Sequence, residues 1–228
     1  SAERNDMYTL LPLLARIEEG SGIRHESVVT DAGYESKEND TGLSERGQTA
    51  YIKPQNYERS KKRSFRGNAY LRENMPYDEA EDAYTCPAGK RLAQREESIR
   101  KVKSGFEQTV THYACGDCAD CAHKSKCTKA KGNREMEVSK RFVEQRGASL
   151  VRITSEYGML LRVNRSIQSE GAFGVLKEDW GLRRFLRRGR GNVMTELLIY
   201  AFAYNVCKLH AKSARGRLRT QLFQPDSA

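Results

Sequence analysis

Ser27-Val28-Val29-Thr30-Asp31-Ala32-Gly33-Tyr34-Glu35-Ser36 is the stretch on which the fold turns. Residues 27–31 (SVVTD) predict a short buried strand ending in an acid. Ser36 then predicts the cap of a short polar helix that stops near Gly47. Residues 49–53 (TAYIK) alternate as a second strand and halt at Pro54. Strand, helix and strand over so short a span form a βαβ unit, which requires parallel strands. Asp31 then lies at the carboxyl end of a strand, where open α/β sheets place their sites. Upstream, residues 9–19 (TLLPLLARIEE) predict a helix with Thr9 as cap, Pro12 in the first turn and Gly20 as stop.

Charge names a class of partner. The 228 residues carry 40 Lys and Arg against 30 Asp and Glu, a formal charge of +10 with a pI near 9.4. Such a balance favours a polyanion, with DNA or RNA ahead of a membrane surface. No run approaches the ~20 apolar residues of a membrane span, and no secretory signal is visible, so the cytoplasm is the expected compartment. The absence of an initiator Met predicts that the chain is a piece of something longer.

Composition shifts at residue 54 and divides the chain into expected segments: 1–54, 55–145, 146–213 and a basic tail, 214–228. Residues 55–80 are polar and punctuated by Gly, Asn and Pro, as in an exposed connection or insertion. Short strands are expected at residues 83–85 and 108–113. A cysteine cluster follows, spaced Cys115-x2-Cys118-x2-Cys121-x5-Cys127, with Cys86 upstream in a Cys-Pro-Ala-Gly turn. In a chain without a secretory mark, such spacing reads as a metal site before a disulfide framework. Four thiolates close a tetrahedral, structural Zn²⁺ site with no open position for catalysis. Cys86 is an alternative ligand, and spacing does not say which thiol is spare. An iron–sulfur cluster fits less well, and unliganded thiols are the bland alternative.

A helix is expected at about residues 165–178. On it Glu170 and Lys177, seven residues apart, would share one face. Taken alone, that pair is also what a solvated amphipathic face looks like, and Asp31 what a turn residue looks like. Arg183, Arg184, Arg187 and Arg188 follow, interleaved with Trp180 and Phe185. Guanidinium groups clamp phosphates and flat rings stack on bases, so this segment is a candidate DNA contact. Lys208, Lys212, Arg215, Arg217 and Arg219 are weaker candidates. Residues 193–213 predict an apolar helix of the core.

Taken in order, Thr30–Ser36, the Tyr113–Thr128 cysteine cluster, Arg165-Ser166-Ile167…Glu170-x2-Phe173-Gly174-x2-Lys177, and Gly181–Gly189 resemble DDE-type transposases of bacterial insertion sequences, in the subgroup with a cysteine-rich insertion. The resemblance implies an α/β fold with a ribonuclease H-like core, here incomplete at its N-terminus, and an inserted cysteine-rich subdomain. It implies three carboxylates holding two Mg²⁺, with Asp31 as the second Asp, Glu170 as the final Glu, and Lys177 on DNA phosphate. It also implies strand cleavage and strand transfer on element ends and target DNA, homodimers on paired ends, and a nucleoid-associated location. The first catalytic Asp would lie upstream, and Asp6 is expected to be a poor substitute, so the chain alone is expected to be inactive or nearly so. Arg162 stands where the family often has Tyr. The alternative is a non-enzymatic, zinc-stabilised DNA-binding module left by a decayed transposase.

Overall fold

The computed structural model describes residues 6–218. Arg219 and the end of the basic tail lie outside them. The chain divides into two compact units, Ser1–Arg152 and Ile153–Ala228, each described by itself.

The first unit begins with α1 (Leu10–Ser21). This helix runs past Gly20 and ends where Gly22 takes a left-handed conformation, φ 67°. Thr9 does not cap it with its side chain; its hydroxyl donates to the Asp6 carbonyl at 2.8 Å instead. β1 (Ser27–Thr30) and β2 (Thr49–Ile52) pair in parallel, Val28 opposite Ala50 and Thr30 opposite Ile52. Between them lies α2 (Lys37–Glu45), whose Asn39 N–H donates to the Ser36 hydroxyl at 3.1 Å. The βαβ unit expected from residues 27–53 is therefore present.

Leu10, Val28, Leu43, Ala50 and Ile52 form its core, flanked by Leu11, Leu14 and Tyr34. Gly42 lets α1 and α2 close on each other: a Cβ there would lie 2.6 Å from Leu11 Cδ1. The free side of β2 is closed by a helix rather than a strand. Ser149 of α6 (Lys140–Thr154) donates its hydroxyl to the Ile52 carbonyl at 2.7 Å and accepts the Ile52 N–H at 3.2 Å. Arg152 Nε donates to the Ala50 carbonyl at 2.7 Å. These side chains satisfy edge groups that would otherwise be buried without partners.

After β2, the polar connection holds two one-turn helices, α3 (Tyr57–Ser60) and α4 (Arg63–Arg66). An antiparallel five-stranded sheet follows, in sequential order: β3 (Tyr77–Asp78), β4 (Ala83–Thr85), β5 (Arg91–Lys101), β6 (Glu107–Cys115) and β7 (Glu135–Val138). The short helix α5 (Lys124–Cys127) sits in the cysteine loop. This sheet has its own core, in which Met75, Tyr84, Leu92, Tyr113, Met136 and Val138 pack with Cys86, Cys115 and Cys118.

Asp82 ties the sheet to α6. It is the one non-glycine residue with positive φ, 44°, among the described residues, a conformation Asp tolerates better than most residues. Its carboxylate accepts from Tyr77 and Tyr113 hydroxyls at 2.7 and 2.6 Å and from Lys140 Nζ at 2.6 Å. Burial opposes the charge, but the bonds from Lys140, Tyr113 and Tyr77 prevail and bring the carboxyl down to about 2. The folded value lies below the unfolded one, so this stabilisation is present above the unfolded value and fades as pH falls toward 2. Asp82→Asn is expected to lower stability at pH 7 by about 1–2 kcal/mol in urea unfolding. The gap between variant and wild type should narrow as the pH is taken from 5 toward 2.

The second unit contains α7 (Glu156–Gly174), capped by Ser155, whose hydroxyl accepts the Gly158 N–H at 3.1 Å. A five-residue π-helical turn, Val175–Asp179, continues from it. α8 (Arg190–Ala214) follows an Arg-rich segment. None of its residues is buried, and Leu198, Ile199 and Phe202 are largely exposed. The core role expected for residues 193–213 is not what their surfaces show. No helix among the described residues is long and apolar enough to cross a membrane.

Candidate functional site

Asp31 follows β1 directly and caps the 3-10 turn Ala32–Tyr34, its Oδ1 accepting the Gly33 N–H at 2.9 Å. The peptide unit thus aims one carboxylate oxygen along the chain. A second acid stands beside it. A Cβ at Gly33 would lie 3.2 Å from Asp31 Oδ1 and 3.5 Å from Asp6 Oδ2. Oxygens of both carboxylates therefore lie close to the Gly33 backbone. Asp6 is brought there by the short 3-10 helix Asp6–Tyr8 packing on the Ala32–Tyr34 turn.

Below this point lies a buried charge cluster that sequence reasoning missed. Glu35 is 5% exposed and takes both guanidinium nitrogens of Arg146, at 2.6 and 3.0 Å, while accepting the Gln55 N–H at 2.8 Å. Asp40 is also buried. Its carboxyl is pushed up to about 6, chiefly by burial and then by Glu35, with Arg152 and Arg146 pulling the other way. The raised folded value means that its contribution is present at low pH and lost as pH rises through about 6. Asp40→Asn is expected to raise stability at pH 8 by about 1–2 kcal/mol and to change little at pH 4. Thermal unfolding at the two pH values measures this.

Glu170 lies on α7 in the second unit, 69% exposed, with Arg165 3.7 Å away. Lys177 does not continue the same α-helix. It sits in the π turn, so the seven-residue spacing does not set a common α-helical face, and its Nζ lies 5.5 Å from the Phe173 ring centre. Arg183, Arg184, Arg187 and Arg188 occupy an irregular, exposed segment. The N–H groups of Leu186 and Arg187 donate to the Glu196 carboxylate at 3.1 and 3.2 Å, and Arg183 lies 3.5 Å from Glu178. Trp180 is half-buried, its ring centre 6.3 Å from that of Tyr200 and 6.4 Å from that of Tyr204 on α8. Phe185 is exposed.

The thiols do gather. Cys86, Cys115, Cys118, Cys121 and Cys127 line one small cavity, with a free volume of about 10 Å³, beside His123 and Arg134. Its walls are tied from several sides. Cys118 N–H donates to Asn133 at 2.9 Å, Asn133 donates to the Gly116 carbonyl at 2.9 Å, Lys90 donates to the Asp117 carbonyl at 2.8 Å, and Arg134 donates to the Cys127 carbonyl. Burial pushes the Cys115 and Cys127 thiols up. Among the described residues, no group of three or more His, Cys, Asp and Glu side chains stands ready-made as a metal's ligands. The thiols share a cavity but not a finished coordination sphere.

Residues 85–210, more than half of the 228-residue chain, match the family model described as a transposase DDE domain. The chain belongs to that family. Its members act on DNA, and their DDE domains generally use divalent metals. Glu170, Lys177, the Arg-rich segment and all five clustered cysteines fall within the matched residues, whereas Asp31 precedes them. No curated protein and no solved structure matches the chain.

Proposed function

We propose that this chain is part of a transposase catalytic domain with a ribonuclease H-like core, and that Asp31 and Glu170 are carboxylates through which it holds Mg²⁺ for DNA strand cleavage and strand transfer. The observation that carries the reading is the acid at the carboxyl end of a parallel strand in a chain whose following residues match the DDE domain. The approach of Asp31 and Asp6 oxygens to the Gly33 backbone supports this placement. Bound divalent metal would activate a hydroxyl nucleophile and stabilise the leaving oxygen. Lys177, Arg183, Arg184, Arg187 and Arg188 grip DNA phosphates in this reading.

The thiol cluster is a structural Zn²⁺ site in the same reading. Cys127 feels the charges of Cys86, Cys118 and Cys121. Cys115, 1% exposed, lines the same cavity beside Cys118 and Cys86. The ligands in this reading are Cys115, Cys118, Cys121 and Cys127, with Cys86 as the alternative. Binding would convert buried thiols to thiolates and draw them into a tetrahedron.

The acid site is tested by titrating Mn²⁺ and following its electron paramagnetic resonance. Asp31→Asn is expected to weaken binding at least tenfold, on the scale of losing a charged ligand. Mn²⁺ affinity equal to wild type in Asp31→Asn sinks the assignment.

A further inference from the structure

Residues 53–66, which leave β2 and form α3 and α4, carry six Lys and Arg against one Glu. Because β1 and β2 are parallel, this stretch starts at the edge of the sheet where Asp31 ends β1. Two backbone bonds hold it there. The Lys53 N–H donates to the Thr30 carbonyl at 3.4 Å, just before Asp31, and the Gln55 N–H donates to Glu35 at 2.8 Å, just after the Asp31 turn.

The segment is folded rather than loose. The Asn74 side-chain amide donates to the Phe65 and Asn68 carbonyls at 2.6 and 2.9 Å, and Arg66 Nε donates to the Ser60 carbonyl at 3.0 Å. Glu58, its one acid, is shared by Lys53 and Lys61 at 2.9 and 3.2 Å. Arg59, Lys62, Arg63 and Arg66 are exposed, and among the described residues no carboxylate lies within ion-pair distance of them. Four like charges on two adjacent turns repel one another, and a polyanion relieves that repulsion. The aromatic rings here are already engaged by cations. Lys61 Nζ lies 3.8 Å from the Tyr57 ring centre and the Arg59 guanidinium 5.8 Å from that of Phe65, and both rings are half-buried. They position positive charge instead of offering free faces to bases.

We propose that the α3–α4 segment binds the phosphate backbone of duplex DNA through Arg59, Lys62, Arg63 and Arg66, and so holds a strand at the edge that bears Asp31. The inference rests on the reading that the chain acts on DNA, and it names a contact surface outside the Arg-rich segment of the second unit. Contact with phosphates alone carries no sequence information, so binding here is indifferent to sequence and steep in salt.

The test is fluorescence anisotropy with two labelled duplexes of equal length and unrelated sequence, between about 50 and 200 mM salt and with no divalent metal added. Lys62→Gln/Arg63→Gln is expected to weaken binding to both duplexes about tenfold or more and to reduce the salt slope by about one to two, as for two lost phosphate contacts. Arg95→Gln/Lys103→Gln removes the same charge from the β5–β6 hairpin, and its effect is expected to stay below about threefold, because salt screens exposed charges that make no contact. All four side chains are exposed, so the thermal unfolding of both variants should match wild type. Equal losses in the two double variants reduce the effect to overall charge and overturn the proposal, as does a loss confined to one of the two sequences. Wild-type affinity and slope in Lys62→Gln/Arg63→Gln overturn it and leave the reading of DNA as substrate standing. A wild-type chain that binds neither duplex overturns both.

Discussion

Cys127→Ser is expected to release zinc from the chain and to unfold the region around β4 to β7, with loss of about 5 kcal/mol or more of stability. The reasoning is structural. The cysteine loop from residue 115 to β7 contains one regular element, the single turn α5, and it is held by scattered side-chain to backbone bonds worth about 1 kcal/mol each. Structural zinc supplies far more, about 10–16 kcal/mol in small zinc domains, and a thiolate replaced by a hydroxyl loses its bond to the metal. Elemental analysis and thermal unfolding with and without a chelator measure the effect. Cys207→Ala serves as the contrast: it should retain one zinc per chain, because Cys207 is exposed on α8 and lies outside the thiol cavity. A folded wild-type chain free of zinc removes the site altogether.

Glu35→Ala is expected to cost about 3–5 kcal/mol, the range seen when one partner of a buried ion pair is removed. Glu35 is nearly inaccessible and bridges three elements: it follows the Ala32–Tyr34 turn, accepts the Gln55 N–H beyond β2, and takes both arms of Arg146 on α6. Removing it strands the Arg146 guanidinium and frees the backbone just past Asp31. Urea unfolding reads the loss. Glu35→Gln retains the size and some hydrogen bonding, so its cost should be smaller. A Glu35→Ala chain as stable as wild type contradicts the view that this pair anchors the turn bearing Asp31.

The βαβ unit was legible in the sequence because its signals are local. Ser36 caps the helix within three residues, the strands are short apolar runs, and Pro54 ends the second. β5 was not legible, for a physical reason. Of the eleven residues of Arg91–Lys101 only Leu92 is buried, so the side chains carry no period-two pattern, and the strand exists through its backbone pairing with β6. The helix bearing Glu170 starts at Glu156, earlier than its pattern suggests, because Gly158 and Arg162 interrupt the apolar spacing, and the π turn at Val175–Asp179 has no spacing of its own to mark it. Among the site residues, the thiols announced themselves by spacing, and Asp31 by its position after a strand. Asp6, Glu35 and Arg146 did not, since their roles come from contacts between segments far apart in the chain.

The contrast between a metal-using transposase domain and a passive DNA-binding module comes down to what the acids do when DNA arrives. Carboxylates without metal repel phosphate, and with metal they help to bind it. The decisive measurement is therefore duplex DNA affinity in Mg²⁺ and in EDTA for wild type, Asp31→Ala and Glu170→Ala. We predict that Mg²⁺ tightens wild-type binding about tenfold and that this gain disappears in each variant. Equal affinities for all three proteins, with and without the metal, would contradict it.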